Sequence, residues 1–329
     1  MAKRKLDLTV GQATGQWMRQ LEISKRENTV NGYRVIVGQF LAFIGAETPV
    51  RQIDANDIEN YLLMMRTEMV SPPGIAPRPS RKRSAKTIKN MHIGLSSFWS
   101  WAVKKGLADD HVVRLVETPT VHRKPIQPLT AAQIKRLLDA CGMSREWRTN
   151  PFAQSARPTA ARDKVMILLL VEACLRVSEL ANLRIGDVAV GNRGGQVHVR
   201  DGKGGKDRFV PVGRRVNAAL GDYLLTRPDA EAGDYLMINT QRNHGKPMTR
   251  GTIARQIKRL GEKAGVDVHP HLLRTTGACM LAANGASAWD LQRIMGHSEV
   301  MTTQRYVAAA QIDLQEAMER SSPIDNMRL

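Results

Sequence analysis

Apolar residues recur at helical spacing through most of this chain. Tyr33, Val37, Phe40, Leu41 and Ile44 mark one face of a helix that Gly45 is placed to end. Before it, Thr9 with Gln12 reads as a capping box opening a helix that runs toward Lys25. Asp54 reads as the N-cap of a third helix carrying Ile58, Tyr61, Leu62 and Met65. Ser84 opens a fourth, which carries Ile88, Met91, Leu95, Phe98 and Trp101 and stops at Gly106. Four helices within about a hundred residues, interrupted once by a proline-rich stretch from Ser71 to Ser80, describe a small all-helical domain.

The pattern then lapses. Pro119, Pro125 and Pro128, with Arg123 and Lys124 and few apolar neighbours, mark residues 116–128 as a linker between a first domain, 1–115, and a second, 129–329. Thr130 and Gln133 form another capping box, for a helix reaching Ala140. From Gly142 to Ala161, Asn150-Pro151 and Arg157-Pro158 break any periodicity and predict a long, positively charged loop. Val165 to Ala173 is a strongly apolar helix. Alternation at Val197 and Val199, and again at Phe209, Val210 and Val212, predicts two strands joined by the charged, glycine-rich turn Asp201 to Lys206. Helices follow over roughly 213–225, 250–264, 271–284 and 287–295, with shorter pieces around Tyr306 and Leu314. The expected class is mainly α, with a mixed α+β second domain holding a small antiparallel sheet.

Charge narrows the function. The chain has 329 residues, 49 of them Lys or Arg against 31 Asp or Glu, for a formal net charge of +18, which points to a polyanionic partner. Nucleic acid comes first. A membrane surface comes second, but no apolar run approaches the ~20 residues a spanning helix needs and no signal-peptide pattern follows Met1, so a cytoplasmic protein is expected. Arg78, Arg81, Lys82, Arg83, Lys86 and Lys89 form a cluster free of acidic residues that suits DNA binding, the alternative being a solvated loop. Cys141, Cys174 and Cys279 lie far apart among apolar or small neighbours and read as buried reduced thiols, not as a metal site or a disulfide.

The residues that bear chemistry lie in the second domain. Pro270 suits the first position of a helix, so His271 and Arg274 share its first turn, where free backbone N–H groups and the helix dipole favour an anion. Arg176 follows the apolar helix and is either an edge residue facing water or a partly buried one needing an anionic partner; Glu179, three residues on, can orient its guanidinium, whose fork matches the oxygens of a phosphate. Lys203, in the turn between the strands, is either a solvated lysine or a mobile general acid. Lys206 competes for that role, and spacing does not choose between them. Tyr306 stands nine residues after His297. A tyrosine with a free pKa of about 10 needs nearby positive charge or a base to act as a nucleophile, and the arginines, lysine and histidines named here would supply it.

Together these residues resemble the signature of the tyrosine recombinases, also called the phage integrase family, in the two-domain form similar to Xer-like recombinases. The family's first arginine box is matched by Cys174-Leu175-Arg176-Val177-Ser178-Glu179-Leu180, its hairpin lysine by Lys203, its His-x-x-Arg box by His271 to Arg274, and its Gly-His and tyrosine by Gly296-His297 and Tyr306. Ala173 and Cys174 replace the usual Thr-Gly, and Thr275 stands where His is common.

The resemblance implies a fold and a mechanism. The fold is a four-helix SAM-like core-binding domain followed by a catalytic domain, with no arm-type DNA-binding domain before the first helix. In the mechanism, Tyr306 attacks a scissile phosphate, giving a 3′-phosphotyrosyl bond and a free 5′-hydroxyl. Arg176 and Arg274 hold the nonbridging oxygens, Lys203 protonates the leaving oxygen, His271 assists at the nucleophile and His297 hydrogen-bonds the phosphate. Neither metal nor ATP is needed. The partners implied are double-stranded DNA at a specific site and three further copies of the chain, in a homo-tetramer joined by exchange of the segment around Ile312 to Met318. A type IB topoisomerase and a catalytically silent DNA-binding protein are the alternatives.

Overall fold

The computed structural model describes residues 7–70, 81–121, 125–142, 159–192, 194–200, 207–240, 245–297, 306 and 308. It divides into two compact units, Met1–Lys124 and Pro125–Leu329.

The first unit is built on four helices, α1 (Val10–Ser24), α2 (Glu27–Ile44), α3 (Ala55–Thr67) and α4 (Ala85–Lys104). Their starts are local events. The capping boxes at Thr9 and Asp54 both form, and the Ser84 hydroxyl accepts the Thr87 N–H, so orphan donors at these helix ends are satisfied within three residues. Gly45 ends α2 at φ 89°, a conformation that costs a residue without a side chain little. The core is aromatic: Phe40 meets Tyr61 and Trp99 edge to face at centroid distances of 5.2 and 5.8 Å, and Phe98 meets Trp99 at 5.2 Å. A ladder pairing β1 (Met69–Val70) with β2 (Arg81–Lys82), absent from the periodicity reading, closes the two ends of the proline-rich stretch 71–80, which lies outside the described residues.

The second unit contains α5 (Ala131–Gly142), α6 (Ala160–Val171), α7 (Val177–Asn182), β3 (Val188–Gly191), β4 (Gly194–Val199), β5 (Arg208–Val212), α8 (Arg214–Leu225), α9 (Arg250–Ala264), α10 (Pro270–Ala283) and α11 (Ala288–Met295). The strands form an antiparallel sheet in the order β3-β4-β5. Helix α6 is the central post, packed by α5, α8 and α10, which is why its sequence is apolar nearly all round. Val197, Val199, Val210 and Val212 turn inward from the sheet, while Gln196, Phe209 and Pro211 face out. Strand β3 and the short helix α7 were not expected; each is too brief to establish a period of its own.

Two details seat the site. Asp163, fully buried near the start of α6, accepts from Arg162 at 2.6 Å and from Gln256 of α9 at 2.7 Å, so a buried charge is paired and hydrogen-bonded. The end of the expected linker is fastened to the second unit: Ile126 packs against the small cluster around Cys279, and the Leu129 N–H donates to Thr276 Oγ1 of α10 at 2.9 Å. Composition shows the prolines of that stretch but not the long-range partners that order its last residues.

Candidate active site

The site assembles where α6, α10 and α11 end or begin near one another. After α6 the chain turns through Cys174, which holds a left-handed conformation at φ 47°, the one such non-glycine among the described residues. That turn aims the Cys174 carbonyl at Arg274, whose Nη1 donates to it, and delivers Arg176 to the N-cap of α7.

Arg274 sits one turn into α10 and is only 3 % exposed. Its Nη2 donates to the Met295 carbonyl at 2.8 Å and lies 3.2 Å from Nε2 of His297. At the end of α11, Gly296 takes φ 63° and bends the chain so that His297 follows directly. The Gly296 carbonyl accepts from Arg176 Nη2 at 3.1 Å, and Gln292 Nε2 holds the His297 carbonyl at 3.2 Å. Arg176, Arg274 and His297 thus meet through backbone carbonyls from two different turns.

One carboxylate binds the group together. Glu179 Oε1 accepts from Arg176 Nη1 at 2.7 Å and from Arg208 Nη1 at 3.0 Å. Its Oε2 accepts the Arg176 backbone N–H at 2.8 Å and Arg208 Nη2 at 2.8 Å, with Arg274 Nη1 at 3.7 Å. Burial works to raise the Glu179 carboxyl, but the Arg208 hydrogen bond and charge, with those of Arg176, outweigh it and hold it below the ordinary carboxylate range. Arg274 is brought down to about 10, first by burial and then by the neighbouring charge of Arg176, so it remains a cation at neutral pH. Three guanidiniums around one carboxylate leave a surplus of positive charge, the arrangement an anionic phosphate would neutralise.

Tyr306 lies 4 % exposed in a small apolar cluster with Cys174, Ala278, Cys279, Ala282, Leu291 and Met295. Its ring stands 6.1 Å from that of His297, centroid to centroid, at 29°. The expected tyrosine is therefore packed beside the expected histidine within the same unit. His271 stands exposed in the first turn of α10, its ring 6.4 Å from that of His269.

The start of α10 offers an anion fewer free donors than its sequence predicts. His269 is the N-cap, and its Nδ1 accepts the Leu272 N–H at 3.2 Å, so one of the donors expected to be free is already engaged.

Lys203 and Lys206 fall in 201–206, outside the described residues, but the strands leading to them are tied at the base. Arg200 Nε donates to Asp187 at 2.5 Å. His198 bonds Asp207 at 3.0 Å and stacks on Phe209 at 4.3 Å.

Of the basic cluster in the first unit, Lys82, Lys86 and Lys89 are exposed. Arg78 and the side chain of Arg81 lie outside the described residues. Arg83 departs from expectation: it is 13 % exposed and donates to the Met65 carbonyl at 3.1 Å and to Glu68 at 2.9 Å, which pins β2 to the end of α3. The stretch 78–89 carries no acid, but the fold brings one from α3.

Sequence reasoning also missed Arg208. The signal was present, since Arg208 shares the inward face of β5 with Val210 and Val212, and an arginine on a buried face needs an anionic partner. None of the three cysteines is in a disulfide, and all are buried. Among the described residues, no helix is long and apolar enough to cross a membrane.

Residues 127–312 match the model of the phage integrase family. The chain is 35 % identical over 219 residues to the tyrosine recombinase XerA of Thermococcus kodakarensis, covering 67 % of this chain and 71 % of that protein. It is 26 % identical over 303 residues to the tyrosine recombinase XerA of Pyrococcus furiosus, covering 92 % of this chain and 91 % of the other. Among solved structures, the Tn1549 transposon integrase in complex with a circular intermediate DNA is similar with a TM-score of 0.70 at 22 % identity, over 95 % of this chain and 100 % of that one. A lambda integrase dimer bound to a COC' core site is similar with a TM-score of 0.69 at 15 % identity, over 93 % and 98 %. At such identities the structural likeness speaks to the fold.

Proposed function

This chain belongs to the phage integrase family and is a tyrosine-type site-specific DNA recombinase; from that premise we propose that Tyr306 is the nucleophile that cuts and carries each DNA strand. Its phenolic oxygen bonds to the scissile phosphorus as the bond to the 5′ oxygen breaks. The phenolic proton passes toward His271, and Lys203 or Lys206 gives a proton to the departing oxygen, so a 3′-phosphotyrosyl ester and a 5′-hydroxyl result. The 5′-hydroxyl of a partner strand then attacks the phosphotyrosine and releases Tyr306. One phosphoester is exchanged for another in each step, so no nucleotide need be hydrolysed, and the fixed guanidiniums of Arg176 and Arg274 supply the charge stabilisation that a metal ion supplies in other phosphoryl transfers.

Arg176 and Arg274 take the nonbridging oxygens, where negative charge builds as phosphorus becomes five-coordinate, and His297 adds a hydrogen bond. Loss of one such preorganised donor costs on the order of 10²–10³ in rate. The observation that carries the reading is the single cage around Glu179, in which Arg176 and Arg274 are fixed by backbone carbonyls with His297 against them. Lys82, Lys86 and Lys89, exposed on the first unit, contact the backbone of duplex DNA in the cytoplasm. Four copies assemble on a pair of sites by exchanging the segment after Ala310.

The test is a nicked duplex that loses a short strand on cleavage and so traps the intermediate. The wild-type protein accumulates a covalent DNA adduct and Tyr306→Phe accumulates none. Equal trapping by both would remove Tyr306 from the role.

A further inference from the structure

Arg208 carries none of the roles assigned above, yet it makes the most complete set of contacts in the site. It opens β5 on the strand's inward face, and its side chain is 11 % exposed. Its two terminal nitrogens meet the two oxygens of Glu179 at 3.0 and 2.8 Å, fork against fork, while Nε donates to the Ile294 carbonyl of α11 at 2.8 Å. The flat guanidinium lies against the bend at Gly296, where a Cβ would come within 2.9 Å of Nη1. Every nitrogen of the group is engaged by protein.

We infer that Arg208 is a positioning residue of the strand-cleavage step, one that sets through Glu179 both the place and the effective charge of the two phosphate-holding arginines. The inference rests on the reading of the site given above.

The first argument is geometric. Glu179 has capacity for about four hydrogen bonds, and Arg208 occupies the two-pronged approach to it. With that approach filled, the carboxylate stays 3.7 Å from Arg274, which gives one N–H of each terminal nitrogen to the carbonyls of Cys174 and Met295 and keeps others for a phosphate. Without Arg208, half of the carboxylate's hydrogen-bonding capacity falls open in a buried place. The strongest remaining cation able to fill it is Arg274, which would have to leave those carbonyls to do so.

The second argument is electrostatic. Arg176, Arg208 and Arg274 around one carboxylate leave two unbalanced positive charges. A phosphodiester brings one negative charge, and its five-coordinate transition state spreads about two over its oxygens. The cage therefore matches the transition state better than the ground state, and removing Arg208 removes that excess.

The third argument concerns connection. Arg208 follows closely on Lys203 and Lys206 in the chain and is bonded to the helix end that leads into His297, so it ties the start of β5 to the phosphate cage.

The experiment compares two scissile groups. A duplex bound by the wild-type protein is recovered from a random-sequence pool, then made nicked with either an ordinary phosphate or a methylphosphonate at the cleavage point; the latter lacks the charge of one nonbridging oxygen. Arg208→Gln is expected to bind this duplex within about threefold of wild type but to form the covalent adduct at least ~30-fold more slowly on phosphate, with the gap closing to about threefold on methylphosphonate. A residue that merely held the fold together would lose the same factor on both.

Equal loss on the two substrates, or an undiminished rate on phosphate, overturns the inference. Should Arg208→Gln fail to fold, Arg208→Lys keeps the charge without the fork and is judged by the same pair of substrates. A smaller loss on phosphate that closes on methylphosphonate supports the role, and an equal loss overturns it. If the wild-type adduct survives Tyr306→Phe, the reading of the whole site fails with it, whereas an Arg208 result alone sinks only this inference.

Discussion

Gly277 in α10 lies so close to the carbonyl of Val171, at the end of α6, that a Cβ at 277 would overlap it. This close approach of two helices shapes the candidate site. Arg274 lies one turn before Gly277 and Cys174 three residues after Val171, so the same contact lets the Arg274 guanidinium reach the Cys174 carbonyl. Gly277→Ala should drive the helices apart and lower stability by about 3 kcal/mol. A urea unfolding midpoint indistinguishable from wild type would mean that α6 and α10 have room to spare.

Cys174 is held at φ 47° with its side chain wholly buried and its Sγ 3.3 Å from the Val171 carbonyl. Relief of the left-handed backbone in Cys174→Gly, worth about 1 kcal/mol, should offset the lost sulfur packing, leaving stability within about 1 kcal/mol of wild type. Cys174→Val places a branched side chain in the same conformation and should cost about 2 kcal/mol or more. Because the backbone carbonyl, not the thiol, holds Arg274, the glycine variant should also keep its cleavage rate within about threefold. The two unfolding midpoints and two adduct rates check the ranking; the reverse order would refute it.

Glu179 predicts how the second unit responds to acid. Its carboxyl is held below its ordinary value of 4.5 when folded, so the folded state holds fewer protons than the unfolded one across that interval. The stability this contributes is fully present above about 4.5 and is lost as pH falls through the lower folded value. Glu179→Gln has no such proton to bind. Comparing urea midpoints at about pH 7 and about pH 3, the gap between wild type and Glu179→Gln should shrink on acidification. A gap that stays constant would show that the charge is not what Glu179 contributes.

The basic residues of the first unit should separate into two kinds. Lys86→Ala and Lys89→Ala, exposed in α4, should each weaken DNA binding and flatten the dependence of log affinity on log salt by about 0.9. Arg83→Ala, which unpins the Met65 carbonyl and Glu68, should instead lower the melting temperature of the first unit and leave that slope nearly unchanged. Titrations at several salt concentrations, with a melting curve for each variant, test the division. A full unit of slope lost in Arg83→Ala would return it to the DNA-contact set.

Removing the residues after Ala310 should impair pairing of two DNA sites far more than first-strand cleavage on one. Native gels for the paired complex and adduct formation on a single site read the two separately. Equal loss in both would argue that this segment serves its own subunit.

Taken alone, the sequence determined what acts over short range. The helix starts at Thr9, Asp54, Ser84 and Thr130 were legible because each cap closes within three residues, and the alternating valines of β4 and β5 declared the buried face of the sheet. The order of Arg176, His271, Arg274, His297 and Tyr306 was likewise visible as spacing along the chain. Only the tertiary structure decided that Arg83 serves α3, that Leu129 is tied to α10, and that Arg208 joins the cage. Each depends on partners brought from elsewhere in the chain: 29 residues separate Arg208 from Glu179, and 120 separate Arg176 from the Gly296 carbonyl. Periodicity shows that an arginine faces inward. Which carboxylate it meets there is settled by packing, because a buried charge takes whatever partner the folded chain brings within reach.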